Sequence, residues 1–91
     1  MDLSQLRGKI DDIDEELVQL FCARMALSAQ VADYKKANGL PIHHPTRERE
    51  ILDKIGKMAG PDMGAYARDL YGEIFKLSRD YQTKRNSEVA E

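Results

Sequence analysis

The amino-acid sequence predicts an all-α fold of three helices per chain, in the order long, short, medium, with two chains paired in a homodimer. Three observations carry that reading. Apolar residues recur at helical spacing through the first third of the chain, at Leu3, Leu6, Ile10, Ile13, Leu17 and Leu20 and then at Leu27, Val31 and Tyr34. Helix-ending signals stand at two interior places, Asn38-Gly39 with Pro41 beyond it and Ala59-Gly60-Pro61. Charged residues make up 33% of the sequence and aromatics 7%, with no Trp, a balance that suits helices better than sheets.

The first helix is expected from about Leu3 to Lys36. Its apolar gaps run 3, 4, 3, 4, 3 and then 7, 4, 3, a heptad seam in which position 24 would complete the pattern but holds Arg24. Gly8 costs about 1 kcal/mol against Ala in a helix, and Asp11, Asp12, Asp14, Glu15 and Glu16 decorate the outer faces. About 34 residues at about 1.5 Å each give a rod roughly 50 Å long. A compact globule of 91 residues is only about 30 Å across. One chain cannot cover such a rod, so a second copy is expected against the exposed seam.

The linker Asn38 to Pro45 is short and carries two prolines, and Thr46 can cap the second helix, with a start at Pro45 also open. That helix runs to about Met58 on a stripe of Ile51, Leu52, Ile55 and Met58. Asp62 can cap the third helix, whose stripe is Ala67, Leu70, Tyr71, Ile74, Phe75, Leu77 and Tyr81. Residues 1–85 form one helical domain, and 86–91 read as a frayed polar tail.

Bulk properties exclude several classes. A chain of 91 residues holds one small domain, and the net charge of -2 with interspersed signs gives no nucleic-acid or membrane footprint. No apolar run approaches a membrane span, and the N-terminus lacks the pattern of a secretory leader. The single Cys22 rules out an internal disulfide and favours a reducing compartment, so a cytoplasmic location is expected, with Cys22 as a small core residue. His43-His44 has no partners that would complete a metal site, and phosphate loops and nucleophile elbows are absent.

The residues that break the apolar pattern are the informative ones. Arg24 must reach water or an anion, or set register as polar seam residues do in coiled coils. Lys35 follows by 11 residues, which brings it within about 20° of the same face and about 16 Å along the axis, so both can reach one small ligand. Arg7 lies about 100° away around the helix, which suits a surface charge or service to a partner chain's pocket. Ser78 and Gln82 form an i, i+4 pair beside the third apolar stripe, either a helix edge or part of a site. Arg47 and Glu48 belong to an Arg-Glu-Arg-Glu run that alone reads as a solvated helix start.

Taken together, Leu6-Arg7-Gly8-Lys9-Ile10-Asp11-Asp12-Ile13-Asp14, Arg24, Lys35, Gly39-Leu40-Pro41-Ile42, Arg47-Glu48 and Ser78-Arg79-Asp80-Tyr81-Gln82 resemble the pattern of the all-helical (type II) chorismate mutases. The resemblance runs from Leu6 to Gln82 and rests on the set in order, not on any one piece. It implies an intertwined dimer with two active sites and the conversion of chorismate to prephenate in phenylalanine and tyrosine biosynthesis. This is an intramolecular Claisen rearrangement that needs no cofactor and no metal. By the same resemblance Arg24 binds a substrate carboxylate and Arg7 of the other subunit binds likewise. Lys35 and Gln82 donate to the ether oxygen, and Glu48 accepts from the ring hydroxyl. Ser78 helps position a carboxylate or the ring region, and Arg47 supports the carboxylate end. His44 stands where several relatives carry an acidic residue, and its stretch is expected to contact the ring hydroxyl through backbone. Other readings are an isochorismate-pyruvate lyase on the same fold and a non-enzymatic helical dimerisation module. A larger enzyme of the shikimate pathway could be a partner.

Overall fold

The computed structural model describes residues 1–87. It is all-helical among those residues, with α1 at Leu3–Ala37 and α2 at Pro45–Ser87. The last four residues of the expected tail lie outside the described part, while Asn86 and Ser87 belong to α2.

α1 begins at a capping box that composition alone does not advertise. Asp2 Oδ1 accepts from Gln5 N at 2.8 Å, and Gln5 Oε1 accepts from Asp2 N at 2.9 Å, which satisfies two otherwise orphaned donors. It ends as Asn38-Gly39 predicts. Gly39 has φ 65, and Leu40 N donates to Lys35 O at 2.8 Å while Gly39 N donates to Lys36 O at 3.4 Å. That closing pair of bonds needs a left-handed residue, which glycine supplies without strain. Lys35 is thereby fixed in the final turn.

The expected second and third helices follow one another with no loop between them, so the chain has two continuous helical elements in place of three, with the break at the expected Gly60. α2 has 43 residues and a kink at Gly60, where φ is 85 and ψ 175. One glycine absorbs the whole break. Pro61 lacks the N–H that a continuous helix would use, yet it suits the first turn of the next stretch, so no loop residues intervene. We call residues 45–59 the first arm and 61–87 the second arm. The arms meet closely beside the kink: a Cβ on Gly64 would lie 2.8 Å from the Gly56 carbonyl oxygen.

α2 starts at Pro45, the alternative the sequence left open, and Thr46 lies inside the helix instead of capping it. His44 Nδ1 accepts from Arg47 N at 3.0 Å in the capping position. A ring nitrogen can do this only when unprotonated.

The second arm packs against the C-terminal half of α1. Arg85 Nε and Nη2 reach the Asp33 carboxylate at 2.9 and 3.0 Å, Asn86 Nδ2 donates to Ala32 O at 3.1 Å, and Lys36 Nζ donates to Asn86 O at 3.2 Å. The Asp33 carboxyl is held below its ordinary range, chiefly by the Arg85 hydrogen bond, which outweighs an opposing desolvation and is aided by the charges of Arg85 and Lys36.

The hydrophobic interior is small. Ala29, Ala32 and Phe75 are the buried apolar residues among those described, and no large side chain is fully buried. The seam of α1 lies open along its length, with Ile13 57% and Leu20 67% exposed. Met58, Leu70, Leu77 and Tyr81 of the expected stripes are exposed too, as is Cys22, which is no core residue within one chain. The molecule measures 55 × 31 × 14 Å with a radius of gyration of 16.5 Å, against about 12 Å for a compact chain of this length. No helix among the described residues is long and apolar enough to cross a membrane.

Candidate active site

A cleft of about 200 Å³ opens where the C-terminal half of α1, the linker and both arms of α2 converge. Arg24, Ser28, Val31 and Lys35 form its α1 wall at successive spacings of 4, 3 and 4 residues, one face of one helix. Ile42 and His44 close it from the linker, Arg47, Glu48 and Ile51 from the first arm, and Phe75, Ser78, Arg79 and Gln82 from the second. Seven of the eight residues expected at a site are thus brought together: Arg24, Lys35, His44, Arg47, Glu48, Ser78 and Gln82. Arg7 is not among them. It is exposed on α1, about 25 Å along the helix from Arg24.

Arg24 is half-buried, and no carboxylate among the described residues pairs with it. Its guanidinium carbon lies 5.8 Å from the Tyr71 ring centroid and 5.7 Å from that of Phe75, which themselves meet edge to face at 6.0 Å. The rings steady the cation through their faces without neutralising it. The interhelical ion pair that would explain a seam arginine structurally is therefore not present within the described chain.

Lys35 Nζ donates to Ile42 O at 2.7 Å, which ties the linker to α1 and leaves the ammonium two further hydrogens. Across the cleft, Gln82 Nε2 donates to Ser78 Oγ at 3.0 Å, and Ser78 Oγ donates to Ser28 Oγ at 2.9 Å. All three residues are buried, and this short polar chain fixes the amide of Gln82 on the cleft wall. One Nε2 hydrogen remains free, and Gln82 Oε1 is buried with no partner. An unpaired buried acceptor costs about 1–3 kcal/mol, so its retention calls for a reason beyond folding.

Glu48 is the one carboxylate in the cleft, and Arg79 Nη1 donates to its two oxygens at 2.5 and 2.6 Å. His43 Nε2 stands 3.8 Å from Oε1. Arg47 points outward enough to meet Glu50 at 3.8 Å, with its side chain 66% exposed. Arg79 and Ser28 were not among the expected site residues. Ser28 was signalled by its spacing from Arg24 and Lys35, whereas Arg79, among the alternating charges near the chain's end, carried no such signal.

A helical cleft lined by four cations and a single, already paired carboxylate, with a fixed amide as an additional donor, has the chemistry to take a small, multiply charged anion. The chain belongs to the chorismate mutase type II family, whose family model it matches over residues 6–83. It is 38% identical over 74 residues to a bifunctional chorismate mutase/prephenate dehydratase of Aquifex aeolicus, covering 81% of this chain and 18% of that protein. It is 41% identical over 56 residues to a chorismate mutase of Methanocaldococcus jannaschii, covering 62% of this chain and 57% of that one. The T-protein of Haemophilus influenzae is 48% identical over 50 residues, covering 55% of this chain and 13% of its own length. The chain therefore spans less than two thirds of each of these relatives.

Proposed function

We propose that the protein is a chorismate mutase, an isomerase that converts chorismate to prephenate in the cleft described above. The observation that carries this reading is the joint placement of Arg24, Lys35 and Gln82 on one cleft wall system, with Arg24 free of any carboxylate among the described residues. Chorismate is a dianion that must be held as a compact chair before its new carbon–carbon bond can form. Cations fixed on helices bind both carboxylates and remove much of the orientational cost in advance. As the ether C–O bond breaks, negative charge gathers on its oxygen. The spare hydrogens of Lys35 Nζ and Gln82 Nε2 stabilise that charge more than they stabilise the ground state, which is what accelerates the step. Glu48 accepts from the ring hydroxyl, and Arg24, Arg47 and Ser78 hold the carboxylates. No proton moves in the rearrangement, so no general base is needed.

The working unit is a homodimer. The open seam of α1 from Leu3 to Leu20 asks for a matching surface, and a second copy laid along it gives the closed pairing that symmetric oligomers use. Arg7, remote from its own chain's cleft, then serves the partner's cleft. A cytoplasmic place in phenylalanine and tyrosine biosynthesis follows from the activity, in keeping with a relative named for both mutase and prephenate dehydratase.

Incubation of the purified chain with chorismate and, separately, isochorismate tests the reading. Prephenate from chorismate is the expected product. Pyruvate release as the main outcome assigns the chain to lyase chemistry, and no turnover of either compound by a folded dimer leaves only a structural or regulatory role.

A further inference from the structure

A carboxylate is a poor neighbour for a dianion, yet Glu48 lines the same cleft as the cations that would bind one. We propose that Arg79 is a positioning residue that neutralises Glu48 and fixes its carboxylate as a hydrogen-bond acceptor, so that an acidic side chain can serve a site built for a doubly negative substrate. The inference rests on the mutase reading of the cleft and assigns a role to a residue outside the expected set.

The geometry supports both halves of the role. Nη1 of Arg79 donates to Oε1 and Oε2 at 2.5 and 2.6 Å, and the two side chains are only 32% and 22% exposed, so solvent screens the pair incompletely. Charge-assisted contacts to both oxygens hold the carboxylate in one orientation. Each carboxylate oxygen has two acceptor directions, so a donor on each leaves capacity for a substrate hydroxyl. The pair joins the first turn of the first arm to the second arm, 31 positions later, which places the acceptor relative to Ser78 and Gln82 across the cleft. The other groups facing Glu48 do not do this work: His43 Nε2 is at 3.8 Å and mostly exposed, and Arg47 lies against Glu50. Without Arg79, Glu48 would repel the incoming carboxylates and turn freely.

The test is a double-mutant cycle in the full chain with Glu48→Gln and Arg79→Gln, read as kcat and KM for chorismate beside thermal midpoints. Arg79→Gln is expected to lower kcat/KM by about 10- to 100-fold, through both a raised KM and a lowered kcat. Arg79→Lys, which keeps the charge but not the guanidinium geometry, is expected to recover part of that loss. In the Glu48→Gln background, where there is no charge to offset, Arg79→Gln should change kcat/KM by less than about threefold. An equal loss in both backgrounds overturns the proposal, because Arg79 would then act on the substrate or on the fold directly. Calorimetry with a rigid bicyclic dicarboxylate shaped like the rearranging chair repeats the cycle without turnover. A wild-type chain that binds the dicarboxylate but leaves chorismate unchanged rejects the mutase reading, while the binding cycle still decides the role of Arg79.

Discussion

Replacing Gln82 with Met should separate function from stability, because the two respond in opposite directions. The side chains have similar length and shape, so the swap preserves packing around a residue that is 6% exposed. It removes the bond from Nε2 to Ser78 Oγ, worth about 0.5–1.5 kcal/mol, and also the buried unpaired Oε1, whose burial costs about 1–3 kcal/mol. The net effect lies between roughly neutral and a gain of about 2 kcal/mol. For a domain of 91 residues, that means a melting temperature unchanged or raised by several degrees. The same substitution deletes the donor proposed to meet the developing oxyanion and should lower kcat by about 10²–10³-fold. Loss of chorismate absorbance in steady state gives the rate, and thermal unfolding at matched protein concentration gives the stability. A Met variant that melts well below wild type while keeping kcat within a few-fold would mean that the amide serves the fold and not the reaction.

Lys35→Ala should lower kcat by at least about 100-fold while leaving helix content and dimerisation intact, as read by circular dichroism and sedimentation. Gly60→Ala should cost about 1–3 kcal/mol in denaturant unfolding, since φ 85 with ψ 175 is open to almost no residue with a Cβ. Asp33→Asn should destabilise near neutral pH but not in acid. The Asp33 carboxyl is depressed in the fold, so its contribution is present above the ordinary carboxylate value near 4 and is lost as pH falls through the lower folded value. Urea midpoints of both proteins should therefore converge as the solution is acidified, and a constant difference would place the effect elsewhere.

The parts of the fold that were legible in the sequence are those written in local spacing. The heptad gaps of α1 and the stop at Asn38-Gly39 rest on interactions between residues a turn apart, and the structure follows them to within a residue or two. The break at Gly60-Pro61 was visible as a signal, but its form was not. A kink and a loop share the same residues, and what decides between them is the close approach of Gly56 and Gly64 across the corner. The seam anomaly Arg24 and its 11-residue partner Lys35 pointed to a shared site because helical geometry fixes directions along one rod. The pairing of Glu48 with Arg79 spans 31 positions and two arms, and no periodicity encodes it. The capping role of His44 was hidden for another reason: histidine is an unusual cap, and only the backbone entry at Pro45 brings its ring nitrogen to Arg47 N. The exposed apolar side chains are the same lesson in reverse, since the pattern that predicted their burial describes a surface that one chain leaves uncovered.

The central claim is that each working cleft takes Lys35 from one chain and Arg7 from the other. Mixing equal amounts of Arg7→Ala and Lys35→Ala chains, with exchange of subunits verified, measures it directly. Half the dimers would then be mixed, each with one intact cleft, so activity should rise from near zero to about a quarter of wild type. A mixture that exchanges fully yet stays as inactive as its components would contradict the claim.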